Sequence, residues 1–190
     1  MDELFACAKS FEKLLNIKYH IILGRKENLI DLNIVFTKWD FHHLIGLGKL
    51  KDLRVARQNR EEVFNSIISN KTTYDKICTS RYISQIEDRF FPLSNIEKLF
   101  DDNNIIFRYN EKVNMFSLIQ ADFLLSTPLN EDDIYIFISQ KEDNTYFCRS
   151  FFPKTNRDYT KGQTKYTLLY KEKINLKSGE TVVQYDKLRK

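Results

Sequence analysis

The order of hydrophobic patterns along the chain constrains the fold more than any other feature. Before about residue 103 most apolar side chains recur at helical spacing; after it they lie in short runs rich in Ile, Phe, Tyr, Val and Thr. The two patterns do not alternate, as they would in a parallel α/β fold. We predict an α+β fold, with a mainly helical N-terminal part that includes a short hairpin, followed by a curved, largely antiparallel C-terminal sheet. Finding no internal repeat or linker, we expect residues 1–190 to form a single domain.

Local signals mark the boundaries of these elements. Asp40 is a suitable N-cap for a short helix that stops near Gly46 or Gly48, and Ser94–Glu97 has the pattern of a capping box. The remaining predictions for the first half are a helix over 2–15, a hairpin of Tyr19–Leu23 with Leu29–Phe36, and several short helices over 59–102. The predicted strands of the second half are Ile105–Tyr109, Phe123–Ser126, Ile134–Ser139, Thr145–Phe152, Lys165–Ile174 and Thr181–Tyr185, the last two joined at Lys177–Glu180.

Composition excludes several classes of protein. The chain is 42% hydrophobic, enough for a packed core, and has no apolar run near the roughly 20 residues that cross a bilayer. The N-terminus lacks the apolar region of a signal peptide, so we expect a cytoplasmic protein without a membrane partner. Cys7, Cys78 and Cys148 are widely spaced, which favours reduced core thiols over disulfides or a zinc site.

Charge is distributed unevenly. Residues 87–133 carry ten acidic and four basic side chains, whereas residues 149–177 carry eight basic and two acidic ones. A phosphate backbone would bind the second stretch first, and the interleaved Tyr159, Tyr166 and Tyr170 could stack on bases. The alternative is that these lysines only keep the surface solvated.

The familiar motifs of nucleotide binding and metal catalysis are missing from the sequence. Gly46-Leu47-Gly48-Lys49 lacks the spacing of a phosphate-binding loop, and there is no H-E-x-x-H motif or nucleophile elbow. The carboxylates of Asp101-Asp102 and of Asp132-Asp133 are adjacent and would diverge rather than share a metal ion. We expect neither a metal nor a cofactor.

His42 and His43 form the strongest single constellation. With Phe41 and Leu44 facing the core, the rotation of about 100° per residue puts the two rings on opposite edges of the polar face of the helix. Gly46, one turn further on, would leave room for a ligand. This geometry suits a proton-transfer residue beside a substrate; the alternative is that one histidine packs and the other is simply exposed. His20, on an apolar strand, is expected in the core.

A second constellation lies late in the chain, from Arg149 to Lys154 and from Asp158 to Gln163. A regular strand would place Arg149 and Ser150 on opposite faces, so that one of them points into a given groove. The cations and hydroxyls of the following loop could hold a phosphodiester and stabilise its transition state. A charged surface connection between strands explains the same residues equally well.

These motifs together resemble a known family. The string Phe36–Leu47, with its Phe-His-His-Leu-x-Gly-Leu core, together with Ser150-Phe151-Phe152 and Asp158–Gln163, is similar to one branch of the phage-associated barnase/EndoU/colicin/RelE-like nuclease superfamily. The resemblance implies a small helical part before a curved antiparallel sheet, and a metal-independent ribonuclease that phages or mobile elements use as a toxin or conflict protein. It also implies that His42, His43 and Ser150 occupy the places of the suspected active residues.

We therefore expect an endoribonuclease that activates a 2′-hydroxyl to attack the adjacent phosphate, leaving a cyclic phosphate. His43 would act as base or acid, His42 as its partner or a phosphate contact, and Tyr159 as a proton donor. The residues expected to hold the substrate are Ser150, Arg149, Lys154, Gln163 and Lys165. RNA is the expected partner, together with a cognate antitoxin or immunity protein; the alternative is a non-catalytic module that binds RNA or a partner protein.

Overall fold

The computed structural model describes residues 2–114 and 117–189. Within these ranges the chain forms short 3-10 turns, six α-helices and eight β-strands. The helices are α1 (Glu3–Glu12), α2 (Lys38–Leu44), α3 (Arg60–Ile68), α4 (Tyr74–Ile77), α5 (Phe90–Ser94) and α6 (Ile96–Asp101). The strands are β1 (Ile17–Arg25), β2 (Asn28–Val35), β3 (Ile105–Arg108), β4 (Phe123–Leu129), β5 (Asp132–Gln140), β6 (Tyr146–Pro153), β7 (Thr164–Asn175) and β8 (Thr181–Asp186). Among the described residues, every helix is too short or too polar to cross a bilayer.

The described strands form one sheet that closes on itself. In the order β1-β2-β6-β5-β4-β3-β7, the last strand pairs back with β1 and completes a seven-stranded barrel, while β8 pairs with β7 outside it. The pairings are antiparallel apart from β2 with β6, which meet at Ile34 and Tyr146. The α+β prediction and the predicted strands are confirmed. The predicted curved, largely antiparallel C-terminal sheet proves to be part of a closed barrel, because the hairpin of the helical part supplies the closing strand β1.

The main core lies between the helices and the inner face of the sheet. Alternate residues of β1, namely Tyr19, Ile21 and Leu23, are fully buried and belong to the same cluster as the apolar face of α1. Burial of this apolar surface is the main stabilising contribution. The rings of Phe11, Phe41 and Phe64 pack with centroids 5.2–6.2 Å apart. This contact fixes α2 and α3 against each other.

A smaller cluster covers the opposite face of β4, β5 and β6. It is built around the buried side chains of Tyr109, Leu124, Tyr135 and Phe137, and we call it the outer aromatic cluster. Phe152 and Tyr159 pack against it from β6 and from the following loop. Because both of its faces are covered, β5 is buried at five consecutive positions from 134 to 138.

Two helix starts differ from the sequence prediction. Thr37, not Asp40, is the N-cap of α2; Asp40 lies at the third helical position and its carboxylate accepts hydrogen bonds from the Thr37 backbone and hydroxyl. The capping box predicted at Ser94–Glu97 is wrong as well. The Ser94 hydroxyl donates to the Phe91 carbonyl of the preceding helix α5, so α6 begins without a side-chain cap.

Two further predictions about single residues are wrong. His20 is not a core histidine, because it lies on the outer face of β1, where its ring nitrogens contact Asp31 and Glu172 at 2.7 and 2.8 Å. Cys78 is exposed, whereas Cys7 and Cys148 are buried as expected, and all three thiols are free. The basic stretch 149–177 does not lie wholly on the surface, because Lys171 pairs with the inward-facing Ile21 and is fully buried.

Candidate active site

Helix α2 positions the candidate site. His43 follows Trp39 by four residues and Asp40 by three, so its side chain neighbours both of theirs on the helix surface. They line one side of an open cavity of about 400 Å³. The capping box at Thr37 fixes the start of the helix, and the buried Phe41 ring anchors it to the core.

A β-bulge in β6 forms the opposite side of the cavity. Phe137 pairs with Ser150, but Ile138 pairs with Cys148, so Arg149 is an extra residue in the ladder. The bulge breaks the alternation, and Arg149 and Ser150 both line the cavity. The expectation that these two residues face opposite sides is therefore wrong. The carbonyl of Arg149 accepts a hydrogen bond from His43 Nε2, which joins the helix to the bulge.

The remaining lining residues come from α3, from the segment before β4 and from β6. Arg60, the first residue of α3, is exposed at the cavity and its guanidinium carbon lies 5.9 Å from the centroid of the Trp39 ring. The other lining residues are Leu118, Ile119, Gln120, Phe147 and Cys148. Two arginines and one carboxylate thus give the cavity a net positive lining, suited to an anionic ligand.

Local electrostatics keep His43 neutral near pH 7. The residue as a whole is exposed, but its ring is held in the cavity, where desolvation lowers its pKa. The hydrogen bond to the Arg149 carbonyl opposes this effect, while the charges of Arg60 and Arg149 lower the pKa further. Asp40 shifts in the other direction, because burial raises its pKa. A neutral imidazole is the form that can accept a proton.

His42 does not reach this cavity. Its side chain is buried and its Nε2 forms a hydrogen bond of 3.0 Å with the Val55 carbonyl, while burial lowers its pKa. Gly46 does not make room for a ligand either. It is buried with φ 84°, and a Cβ there would approach Ile86 to 2.8 Å, so its small size serves packing at the end of α2.

The other predicted site residues lie apart from His43. Tyr159 packs in the outer aromatic cluster, where its ring lies 5.5 Å from that of Phe137. Lys154 pairs with Asp133 and Asp158, each at 3.5 Å. Gln163 and Lys165 lie elsewhere: the Gln163 amide exchanges two hydrogen bonds with the backbone of Asn110, and Lys165 lies beside β3. The structure thus brings together His43, Arg149 and Ser150, and separates His42, Tyr159, Lys154, Gln163 and Lys165 from them.

A second cavity of about 700 Å³ continues the first. The two share Gln120, Phe147 and Arg149 and are therefore adjacent, and we call them together the His43 groove. The second cavity adds Arg108 and Lys112 from the segment that is acidic in sequence, along with the carboxylates of Glu111 and Asp122. Arg108 pairs with Asp122 at 3.3 Å.

Trp39, Asp40, Arg60 and Gln120 were not among the predicted site residues. A signal for Trp39 was present, because the one tryptophan of the chain lies four residues before His43, one helical turn away. Arg60 and Gln120 carry no comparable signal, since they reach the groove from distant segments. Among the described residues, no group of three or more His, Cys, Asp or Glu side chains is arranged to hold a metal ion.

An imidazole and two guanidinium groups thus line an open groove on an α+β scaffold, an arrangement that can hold an anionic group such as a phosphate. The model of the family described as phage-Barnase-EndoU-ColicinE5/D-RelE like nuclease4 (PBECR4) matches residues 3–188. Because this match covers nearly the whole chain, the protein belongs to this phage-associated nuclease family, and the resemblance seen in the sequence is confirmed. Searches of curated proteins and of solved structures found no match.

Proposed function

We propose that this protein is an endoribonuclease that cleaves RNA by attack of a 2′-hydroxyl on the adjacent phosphate, leaving a cyclic phosphate. The observation that carries the proposal is the shared cavity of His43, Arg149 and Ser150, which come from opposite ends of the chain. The family name supports nuclease activity. The choice of RNA is favoured by the chemistry, because an imidazole can activate a hydroxyl that is already part of the substrate.

His43 is the proposed proton-transfer residue. A carbonyl oxygen can only accept a hydrogen bond, so the contact with Arg149 assigns the ring hydrogen to Nε2 and leaves the Nδ1 lone pair free in the neutral ring. The lowered pKa keeps that neutral form populated at pH 7. Nδ1 can therefore accept the proton of the attacking 2′-hydroxyl.

Arg60, Arg149 and Ser150 are proposed to stabilise the phosphorane. Guanidinium groups form paired, charge-assisted hydrogen bonds with phosphate oxygens, and a serine hydroxyl donates a further one. These groups become more effective as negative charge accumulates in the transition state. In this scheme neither a metal ion nor a cofactor takes part.

A second candidate function is a non-catalytic module that binds RNA or a partner protein. The observation that favours it is that the described lining of the His43 cavity contains one imidazole and no tyrosine, so a separate acid for the leaving 5′-oxygen is not evident. In the catalytic scheme the protonated His43 returns its proton to that oxygen. Salt-sensitive RNA binding without cleavage would support the binding module.

The variant His43→Gln tests the proposal. Its amide can still donate to the Arg149 carbonyl but cannot accept a proton, so we expect cleavage of end-labelled RNA in EDTA to fall about 10²- to 10⁴-fold. His20→Gln is the matched control, because His20 lies outside the groove. Mass spectrometry should find cyclic phosphate ends, and a strand with a single ribonucleotide should be cut there alone. Equal cleavage by His43→Gln and the unmodified protein would refute the assignment.

We also propose that the activity serves as a toxin or conflict function of a phage or mobile element, restrained by a cognate antitoxin or immunity protein. The His43→Gln variant tests this role as well. Induced expression of the unmodified chain should arrest bacterial growth, and expression of the variant should not. Arrest by both chains to the same extent would separate toxicity from catalysis by His43.

A further inference from the structure

Two exposed apolar side chains in the lining of the groove take no part in the proposed cleavage chemistry. Trp39 is 49% exposed although it is the one tryptophan of the chain, and Leu118, 98% exposed, lines the same cavity. Large apolar side chains are on average well buried, so their exposure inside a polar, cationic cavity needs a reason. Apolar surface beside phosphate-binding groups suits a ligand with a planar ring and a phosphate.

The position of Trp39 fits such a ligand. It lies four residues before His43 on α2, so the indole and the imidazole are neighbours on one helix face. Arg60 holds its guanidinium carbon 5.9 Å from the indole centroid, in the range of a cation–π contact that orients the ring. Asp40, at the next position, is 8% exposed and accepts a hydrogen bond from the Thr37 backbone. This contact holds the first turn of α2, which carries Trp39, in place.

We propose that Trp39 is a stacking platform for one unpaired base of the substrate, so that the His43 groove selects single-stranded nucleic acid. A base stacked on the indole would place its phosphate near Arg60 and Arg149, beside His43. In a duplex both faces of each base are already stacked on neighbouring pairs and cannot reach such a platform. Aromatic stacking accepts any base, so the platform selects strandedness rather than sequence.

This inference specifies the substrate class of the proposed nuclease, and it is tested by binding so that the two proposals can fail separately. Because Trp39 is the one tryptophan of the chain, its fluorescence reports directly on the platform. The probe is a short 2′-O-methyl RNA strand, which has no free 2′-hydroxyl and cannot be cleaved by the proposed chemistry. We expect the single strand to quench Trp39 emission and the duplex of two such strands to leave it unchanged.

Variants extend the test to affinity, measured by anisotropy of a labelled strand. Trp39→Ala should bind the single strand roughly 5- to 100-fold more weakly, whereas Trp39→Phe should keep most of the affinity. Phe91→Ala is the matched control, because Phe91 is similarly exposed, at 55%, but lines a separate pocket beside α1. Unchanged binding by Trp39→Ala, or equal quenching by duplex and single strand, would overturn the platform even if RNA is cleaved. A further outcome is that the protein cleaves no RNA while the single strand quenches Trp39 emission and Trp39→Ala loses affinity for that strand. This result would support the platform and overturn the nuclease proposal.

Discussion

A rotation of about 100° per residue gives the two adjacent histidines of α2 different environments. His43 faces the groove and the Arg149 carbonyl, whereas His42 faces the Val55 carbonyl inside the protein. The sequence pattern predicted that the two rings diverge, and His42 packs inside the protein as one of the two alternatives required. Proton transfer by His43, the other alternative, stays a prediction. The sequence alone could not predict which of the two rings contacts β6. That contact depends on how α2 packs against a strand about a hundred residues away.

The lowered pKa of His43 predicts how activity depends on pH. A base must be unprotonated, so kcat/KM should rise with pH through the lowered pKa and level off below the usual imidazole value of about 6.5. Arg60→Gln removes one of the charges that lower this pKa, so the acidic limb should move to higher pH. Arg25→Gln, at the remote end of β1, should leave it in place. The measurements are pH–rate profiles and an NMR titration of His43; an unmoved or downward-shifted limb in Arg60→Gln would contradict the account.

Strand positions were predictable from the sequence because each depends on a local run of β-branched and aromatic residues. The bulge at Arg149 and the closure of the barrel were not, because both depend on pairing between distant strands. Closure joins His20 to Glu172, which are 152 positions apart in the chain. The bulge matters most for the site, since it brings Arg149 and Ser150 to the same face, where a regular strand would have separated them.

The contact that spans this closure predicts a pH dependence of stability. Burial lowers the pKa of His20, but hydrogen bonds to Asp31 on β2 and Glu172 on β7 outweigh it and leave the pKa raised. The stabilisation should therefore be full below about pH 6.5 and be lost as the pH rises through the raised value. We expect the free energies of unfolding of the unmodified protein and His20→Gln to differ by on the order of 0.5 kcal/mol at pH 5.5, and to converge at high pH. Urea titrations at several pH values measure these free energies of unfolding. A difference between the two proteins that does not change with pH would disprove the proposed link to His20 protonation.

Folding redistributes the charge that the sequence concentrates in two stretches. Lys171 enters the interior and Lys173 pairs with Glu97 and Asp101, so two of the eight basic side chains of 149–177 are occupied within the protein. Conversely, Arg108 and Lys112 belong to the acidic stretch but line the second cavity of the His43 groove. Net charge along the chain was therefore a poor guide to the proposed binding surface, because that surface is assembled from single residues of many elements.

The length of the groove predicts that the substrate extends beyond the cleaved linkage. Lys112 is exposed, and among the described residues its ammonium takes part in no ion pair, so it is available to a phosphate in the second cavity. We expect Lys112→Ala to weaken binding of a six-nucleotide strand roughly 2- to 5-fold and to reduce the slope of log K against log salt by about 0.7, the value for one contact with a single strand. Cleavage of a dinucleotide, which fills only the cavity at His43, should not change. Lys177→Ala, in the hairpin before β8, should alter neither quantity; an equal effect of both lysine variants would mean that charge attracts RNA diffusely rather than along the groove.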